Sequence, residues 1–225
     1  MMTTRALIFD FDGLILETEA SMYECLSDLF RSHGAELEME AWSLNIGGNS
    51  GGFDVYAHLE EVTGAAIDRE ALRASVRERH HAMVCELPAL EGVLDYVRAA
   101  KEMGLKLGVA SSSSRSWVGG HLERLGLLPY FDDVRTRDDV ERVKPDPELY
   151  LASLERLGVE PHEAIALEDS PNGVRAAQAA GIFCVAVPNV ITRRLPLEHA
   201  DLRLESLAAV PLAELLTRCE TRIVS

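Results

Sequence analysis

The amino-acid sequence predicts an α/β protein: a doubly wound parallel sheet with a helical domain inserted after the first strand. Three observations lead there. Residues 6–9 are apolar and β-prone and run into a glycine turn. The following stretch, about 70 residues where a crossover helix usually takes 10 to 15, has helical periodicity and no convincing strand. From Pro88 onward, strand and helix patterns alternate, as they do in open α/β sheets.

The first strand delivers two carboxylates. In Arg5-Ala6-Leu7-Ile8-Phe9-Asp10-Phe11-Asp12-Gly13 the apolar run ends at Asp10. Side chains two apart on an extended segment point the same way, so Asp10 and Asp12 can face one cavity at the strand's carboxyl end. Open α/β sheets bind ligands there. The alternative is a strand leaving through a polar turn, with Asp and Gly supplying only turn chemistry.

Residues 15–88 read as an inserted helical cap, and residues 1–14 with 89–225 as the catalytic core. Leu26, Leu29 and Phe30 fall on one helical face, as do Val55, Leu59 and Val62, and Arg69 to Val84 continues the pattern. Residues 15–88 hold 14 Asp and Glu against 5 Arg and no Lys, a charge of −9; the total is −15, so −6 remains for the core. The cap is therefore disproportionately acidic. Within it, Gly47-Gly48-Asn49-Ser50-Gly51-Gly52 lacks the preceding strand of a phosphate-binding loop and reads first as a flexible connection. Arg69, Arg73 and Arg77 recur every four residues along one helix, either as a solvated stripe or as substrate contacts. Gly47, Gly48, Asn49 and these three arginines are the candidate specificity elements of the cap.

Beyond Pro88, Glu91 to Met103 is an amphipathic helix closed by Gly104, and Leu105 to Ala110 is the second strand. That strand ends in Ser111-Ser112-Ser113-Ser114, just before a helix containing Trp117, Leu122 and Leu125. Hydroxyls and free N–H groups at a helix start suit an anion, although a plain N-cap would look the same. Asp133 to Thr136 is a short extended segment, and the prolines of Lys144-Pro145-Asp146-Pro147 fix Lys144 in a stiff loop before a helix. Ala164 to Leu167 is a further strand ending in Glu168-Asp169-Ser170, followed by a helix from Pro171 to Ala180. Ile182 to Val187 makes the next strand, and Leu207 to Leu216 a closing helix.

Composition narrows the classes of function. The 225 residues are 47% apolar and 26% charged, which suits one α/β domain plus an insertion. A net charge of −15 argues against nucleic acid, whose phosphates need a basic face, but permits a small phosphorylated substrate, because charges are screened over roughly 8 Å. Apolar runs fall well short of the roughly 18 residues of a membrane helix, and the early first strand leaves no room for a signal peptide. Four scattered cysteines without paired spacing suit reduced thiols and a cytoplasmic location; a monomer is also expected. Seven histidines also lack ligand spacing, so a metal here would be held by oxygen.

Asp10, Asp12, Ser111, Lys144, Glu168 and Asp169 all follow strands or lie in connecting loops, and in such a sheet they converge. Phe9-Asp10-Phe11-Asp12-Gly13, Val109-Ala110-Ser111, Lys144-Pro145 and Glu168-Asp169-Ser170, in this order with a helical insert after the first, resemble the haloacid dehalogenase superfamily. More narrowly, they resemble its small phosphatases and β-phosphoglucomutases with a helical cap. The resemblance implies that Asp10 is the nucleophile and Asp12 the general acid and base. Ser111, with Ser112 beside it, and Lys144 would bind phosphoryl oxygens. Mg²⁺ would lie between the Asp10 carboxylate, the Asp12 backbone carbonyl and Asp169, with Glu168 as a direct or water-linked ligand.

The expected activity is Mg²⁺-dependent hydrolysis of a small phosphorylated metabolite, such as a sugar phosphate, through an aspartyl-phosphate. A sugar-phosphate mutase is the enzymatic alternative. Such mutases carry Asp-Thr after the first motif and a histidine four residues beyond that threonine; here the residues are Glu17-Thr18 and Met22. That departure favours hydrolysis. Dehalogenases lack the second aspartate of the first motif, so Asp12 counts against that activity. A non-catalytic binding protein on the same fold is the third reading.

Overall fold

The computed structural model describes residues 4–46 and 53–223. Strand β1 (Ala6–Phe9) is followed by four helices, α1 (Glu19–Ser32), α2 (Met39–Ile46), α3 (Val55–Thr63) and α4 (Arg69–Glu86). Then come α5 (Val93–Glu102), β2 (Lys106–Ala110), α6 (Arg115–Arg124), β3 (Asp133–Arg135) and α7 (Glu148–Leu157). The chain continues through β4 (Ala164–Glu168), α8 (Pro171–Ala179), β5 (Phe183–Ala186), β6 (Leu202–Arg203) and α9 (Leu212–Ile223). The sheet order is β3-β2-β1-β4-β5-β6, and every pairing is parallel. The doubly wound α/β fold read from the sequence is the one observed.

β1 runs through the centre of the sheet, and both of its faces are covered, as a continuously apolar strand requires. Leu7 and Phe9 join Leu107, Val109, Ile165 and Leu167 in one core that includes residues of α5, α6 and α9. Ala6 and Ile8 turn to the other face, toward Leu149 and Leu154 of α7 and Val174 of α8. Register fixes the site. Phe9 pairs with Val109 and with Leu167, so Asp10, Ala110 and Glu168 come level at the carboxyl end, and Asp10 N–H donates to Leu167 O at 2.9 Å.

The helices between β1 and α5 bury their own apolar cluster, including Leu26, Phe30, Val55, Leu59 and Val76, and Ile191 from the loop after β5 packs into it. Burial of each such side chain contributes roughly 1.5–3 kcal/mol. Capping is local: Asp54 accepts from Tyr56 N–H and Ala57 N–H to start α3, and Asp68 accepts from Ala71 N–H to start α4. At the base of these helices, Leu90 N–H donates to Ile15 O at 2.9 Å, joining the outgoing chain to the returning one.

Two expectations needed correction, and one strand was not foreseen. The predicted Glu91–Met103 helix begins at Val93, because Gly92 takes a left-handed φ of 84° at its N-cap. The predicted closing helix Leu207–Leu216 is two elements, a short 3-10 turn at Leu207–Ala209 and then α9, which starts beyond Pro211. The two-residue β6 had no sequence signal, since two residues carry no periodicity. Among the described residues no helix is long and apolar enough to cross a membrane, and the four cysteines are free.

Candidate active site

Asp10 leaves β1 at the carboxyl end of the sheet and is buried there. The loop before α7 brings Lys144 over it, with Nζ 2.5 Å from Asp10 Oδ1 and 2.6 Å from Glu168 Oε1. Glu168, the last residue of β4, also accepts from Tyr150 Oη of α7 at 2.5 Å. Its second oxygen, Oε2, is buried and has no hydrogen-bond partner. Gly173 leaves room for this carboxylate, since a Cβ at that position would run into it.

Asp169 lies beside the pair, and ligand oxygens of Asp10, Glu168 and Asp169 come within 4.8 Å of one another. Three buried carboxylates face one ammonium, a surplus of two negative charges when all are ionised. Burying unpaired charge costs several kcal/mol per ion. The cluster responds through its protonation. Burial pushes the Asp10 carboxyl up to about 7 although Lys144 pulls it down, and burial with Asp10 and Glu168 nearby holds Asp169 well above the carboxylate range. Burial alone would depress Lys144, but Asp10 and Glu168 outweigh it and hold the ammonium above its ordinary value. Lys144 is thus the group that stays charged, and the surplus lies on the carboxylates. Such an all-oxygen, electron-rich donor set fits a hard divalent cation.

Asn189 was not singled out from the sequence. Its side-chain amide donates to Asp169 Oδ2 at 2.8 Å and to Gly13 O at 3.3 Å, while its Oδ1 accepts from Ile191 N–H and Thr192 N–H, both at 2.9 Å. Gly13 adopts φ 81°, and a Cβ there would collide with both Asp169 and Asn189, so only glycine fits.

Asp12 is held at both oxygens. Trp117 Nε1–H of α6 donates to Oδ1 at 2.9 Å; Ser113 Oγ–H donates to Oδ2 at 2.5 Å, with Ser111 Oγ at 3.5 Å. Ser111 is buried, Ser112 is exposed at the rim, and Ser114 caps α6 by accepting from Trp117 N–H. The serine run is therefore divided: Ser113 serves Asp12 and Ser114 serves the helix.

These groups open into a cleft of about 680 Å³ lined by Asp10, Asp12, Ser111, Ser112, Lys144 and Asp169. The helices after β1 supply the facing wall through Thr18, Glu19, Met22, Trp42, Arg77 and His80. Thr18 Oγ1 and Trp42 Nε1 are buried without hydrogen-bond partners. Burial, followed by the nearby Asp12, Glu17 and Asp10 charges, raises the Glu19 carboxyl to about 8. His80 Nε2 meets Thr18 O at 3.0 Å, and burial lowers its pKa toward the neutral ring.

Of the three arginines spaced four residues apart on α4, Arg77 lines the cleft and Arg69 and Arg73 do not. Arg69 pairs with Glu60 and Asp54, while Arg73 lies over the Tyr56 ring at 5.0 Å. Gly47, Gly48 and Asn49 fall outside the described residues. Trp117, Asn189, Tyr150 and His80 belong to the site's surroundings without having shown a sequence signal, and Ser113, in the run read as an anion site or N-cap, holds Asp12 instead.

Residues 7–187 match the family model described as haloacid dehalogenase-like hydrolase. The Bacillus subtilis (strain 168) protein YhcW, named provisionally as a phosphatase, is 49% identical over 212 residues, covering 94% of this chain and 96% of its own. The validoxylamine A 7'-phosphate phosphatase of Streptomyces hygroscopicus subsp. limoneus is 31% identical over 209 residues, covering 92% and 95%. Among solved structures, a mutant of Rhodobacter sphaeroides CbbY in complex with xylulose-1,5-bisphosphate superposes with a TM-score of 0.72 at 29% identity, covering 95% of this chain and 99% of that one.

Proposed function

Because this chain belongs to the haloacid dehalogenase-like hydrolases, and phosphatases stand among its full-length relatives, we propose that it hydrolyses a small phosphorylated metabolite through an aspartyl-phosphate on Asp10. What carries this reading is the convergence, at one end of the sheet, of buried Asp10 and Lys144 with Asp12, all lining one open cleft. An Asp10 oxygen attacks phosphorus as the ester P–O bond breaks, and Asp12 gives its proton to the departing oxygen. Water then attacks the phosphorus, Asp12 takes a proton from it, and the P–O bond to Asp10 breaks to restore the carboxylate. Two easier steps replace one hard one. Proton transfer of this kind contributes roughly 10²- to 10⁴-fold. Lys144, Ser111 and Ser112 hold the phosphoryl oxygens, so positioning and charge do most of the work.

The donor set of Asp10, Asp169 and Glu168 suits Mg²⁺, which the first two carboxylates and the Asp12 backbone carbonyl would hold, with Glu168 as a direct or water-linked ligand. When bound, the ion supplies positive charge that offsets repulsion between the nucleophilic carboxylate and the phosphoryl oxygens.

We take residues 15–88 as a cap that covers the leaving group. The unpartnered Thr18 hydroxyl and Trp42 N–H, with Glu19 and the Arg77 guanidinium, offer donors and acceptors to a hydroxylated leaving group, so a sugar phosphate is the favoured class. Arg77 favours a second anionic group. The xylulose-1,5-bisphosphate bound by CbbY is a compound of that kind. Met22, which has no proton chemistry, lies in the cleft where a mutase would carry histidine, and this supports hydrolysis over isomerisation.

The test is a panel of metabolite phosphates with Mg²⁺, read by free-phosphate release and by isomer formation. Release by wild type and loss of roughly 10³-fold or more in Asp10→Asn are expected. Isomer without phosphate release would make it a mutase, and no turnover on any ester would leave a binding protein.

A further inference from the structure

We propose that Trp117 is a positioning residue for Asp12: its indole N–H holds one carboxyl oxygen, so that the other is the one that carries and delivers the proton. This rests on the general-acid role given to Asp12 above. Indole nitrogen is a donor only, whereas a serine hydroxyl can donate or accept. The 2.9 Å bond from Nε1 to Oδ1 therefore keeps Oδ1 an acceptor in either protonation state. Oδ2, 2.5 Å from Ser113 Oγ, is left as the oxygen that changes state. The hydroxyl donates to the carboxylate and, being able to turn, does not fix Oδ2 as an acceptor, so a proton on Oδ2 is left free for the departing oxygen.

The indole plane is itself fixed from two sides. His80 stacks on it with ring centroids 5.6 Å apart and planes 18° apart, and His121 meets it edge-on at 4.4 Å and 76°. His121 is on α6 with Trp117, but His80 is on α4 and is tied to Thr18 O. The proposed cap thus supports the ring that orients the core's acid. His81, also on α4, lies 6.1 Å from the indole at 56°, so with the cap withdrawn the indole would lose two of its three ring partners.

The test compares an alkyl phosphate with an aryl phosphate of an acidic phenol, on wild type, Trp117→Phe and Asp12→Asn in the full chain with Mg²⁺. Phenylalanine keeps the stack and removes the N–H. For Trp117→Phe, kcat/KM on the alkyl ester should fall about ten- to a hundredfold, the scale of a hydrogen bond to a charged group. Its kcat/KM on the aryl ester should stay within about twofold, because kcat/KM reports the steps up to departure of the leaving group, before Asp12 acts on water, and an acidic phenol leaves without a proton. Equal losses on both esters, or none, would overturn the proposal and leave Trp117 as packing. If Asp12→Asn itself lost equally on both esters, the general-acid reading would fail and take this proposal with it.

A second measurement does not depend on turnover. The chain has two tryptophans, hence two indole N–H resonances, and the one absent in Trp117→Phe is assigned to Trp117. Asp12→Ala should move that resonance upfield and leave the Trp42 resonance in place. An unmoved Trp117 signal would overturn the contact.

Discussion

At the scale of single residues, Asn189 couples two parts of the site that the sequence keeps far apart. One amide group holds the Asp169 carboxylate and the Gly13 carbonyl, while the amide oxygen is locked by two backbone N–H donors. Asn189→Ala should weaken Mg²⁺ binding by about 10- to 100-fold, as removal of a group that orients a metal ligand typically does. Calorimetric titration of the metal-free protein measures this, and an unchanged affinity would remove Asn189 from the metal's support. Charged residues at strand ends were legible in the sequence because Asp10, Asp12, Lys144, Glu168 and Asp169 interrupt apolar strands or stiff loops. Asn189, Ser113 and Trp117 were not, because nothing local to them says what lies opposite. Asn189 reaches 20 residues to Asp169 and 176 to Gly13, and Ser113 and Trp117 reach 101 and 105 residues to Asp12, so only the finished fold supplies these partners.

At the scale of elements, α4 explains why three evenly spaced arginines do not act alike. Each step of four residues advances about 40° around a helix, so Arg69 and Arg77 point roughly 80° apart. Arg69 turns to Glu60 and Asp54, and Arg77 turns to the cleft. Arg77→Ala should therefore lower kcat/KM for a substrate with a second anionic group by about tenfold or more, while hydrolysis of a minimal aryl phosphate changes little. Arg69→Ala should leave the ratio of the two substrates alone. If the two variants shifted that ratio equally, Arg77 would have no special access. Element types were readable from periodicity, whereas boundaries moved where a single residue overruled it. Gly92 and Pro211 are the two examples.

At the scale of the molecule, a strongly acidic chain buries three carboxylates against one ammonium, and a divalent ion that binds only the folded state should stabilise it. At a hundredfold excess over its dissociation constant, such a ligand contributes about 2.7 kcal/mol. For a chain of this size that corresponds to a rise in Tm of roughly 5–10 °C on replacing chelator with Mg²⁺. Calorimetric scans with and without chelator check this, and Asp169→Ala should lose most of the increment; a Tm indifferent to Mg²⁺ would sink the metal assignment. The hydrogen bond from Leu90 to Ile15 bears on a longer timescale. Because the helical excursion leaves and returns at one point, the sheet experiences it as a single turn. Loop-closure cost grows only slowly, about 0.6 kcal/mol per doubling of length. Such a chain can lengthen, shorten or replace those helices and keep the strand register that aligns Asp10 with Glu168.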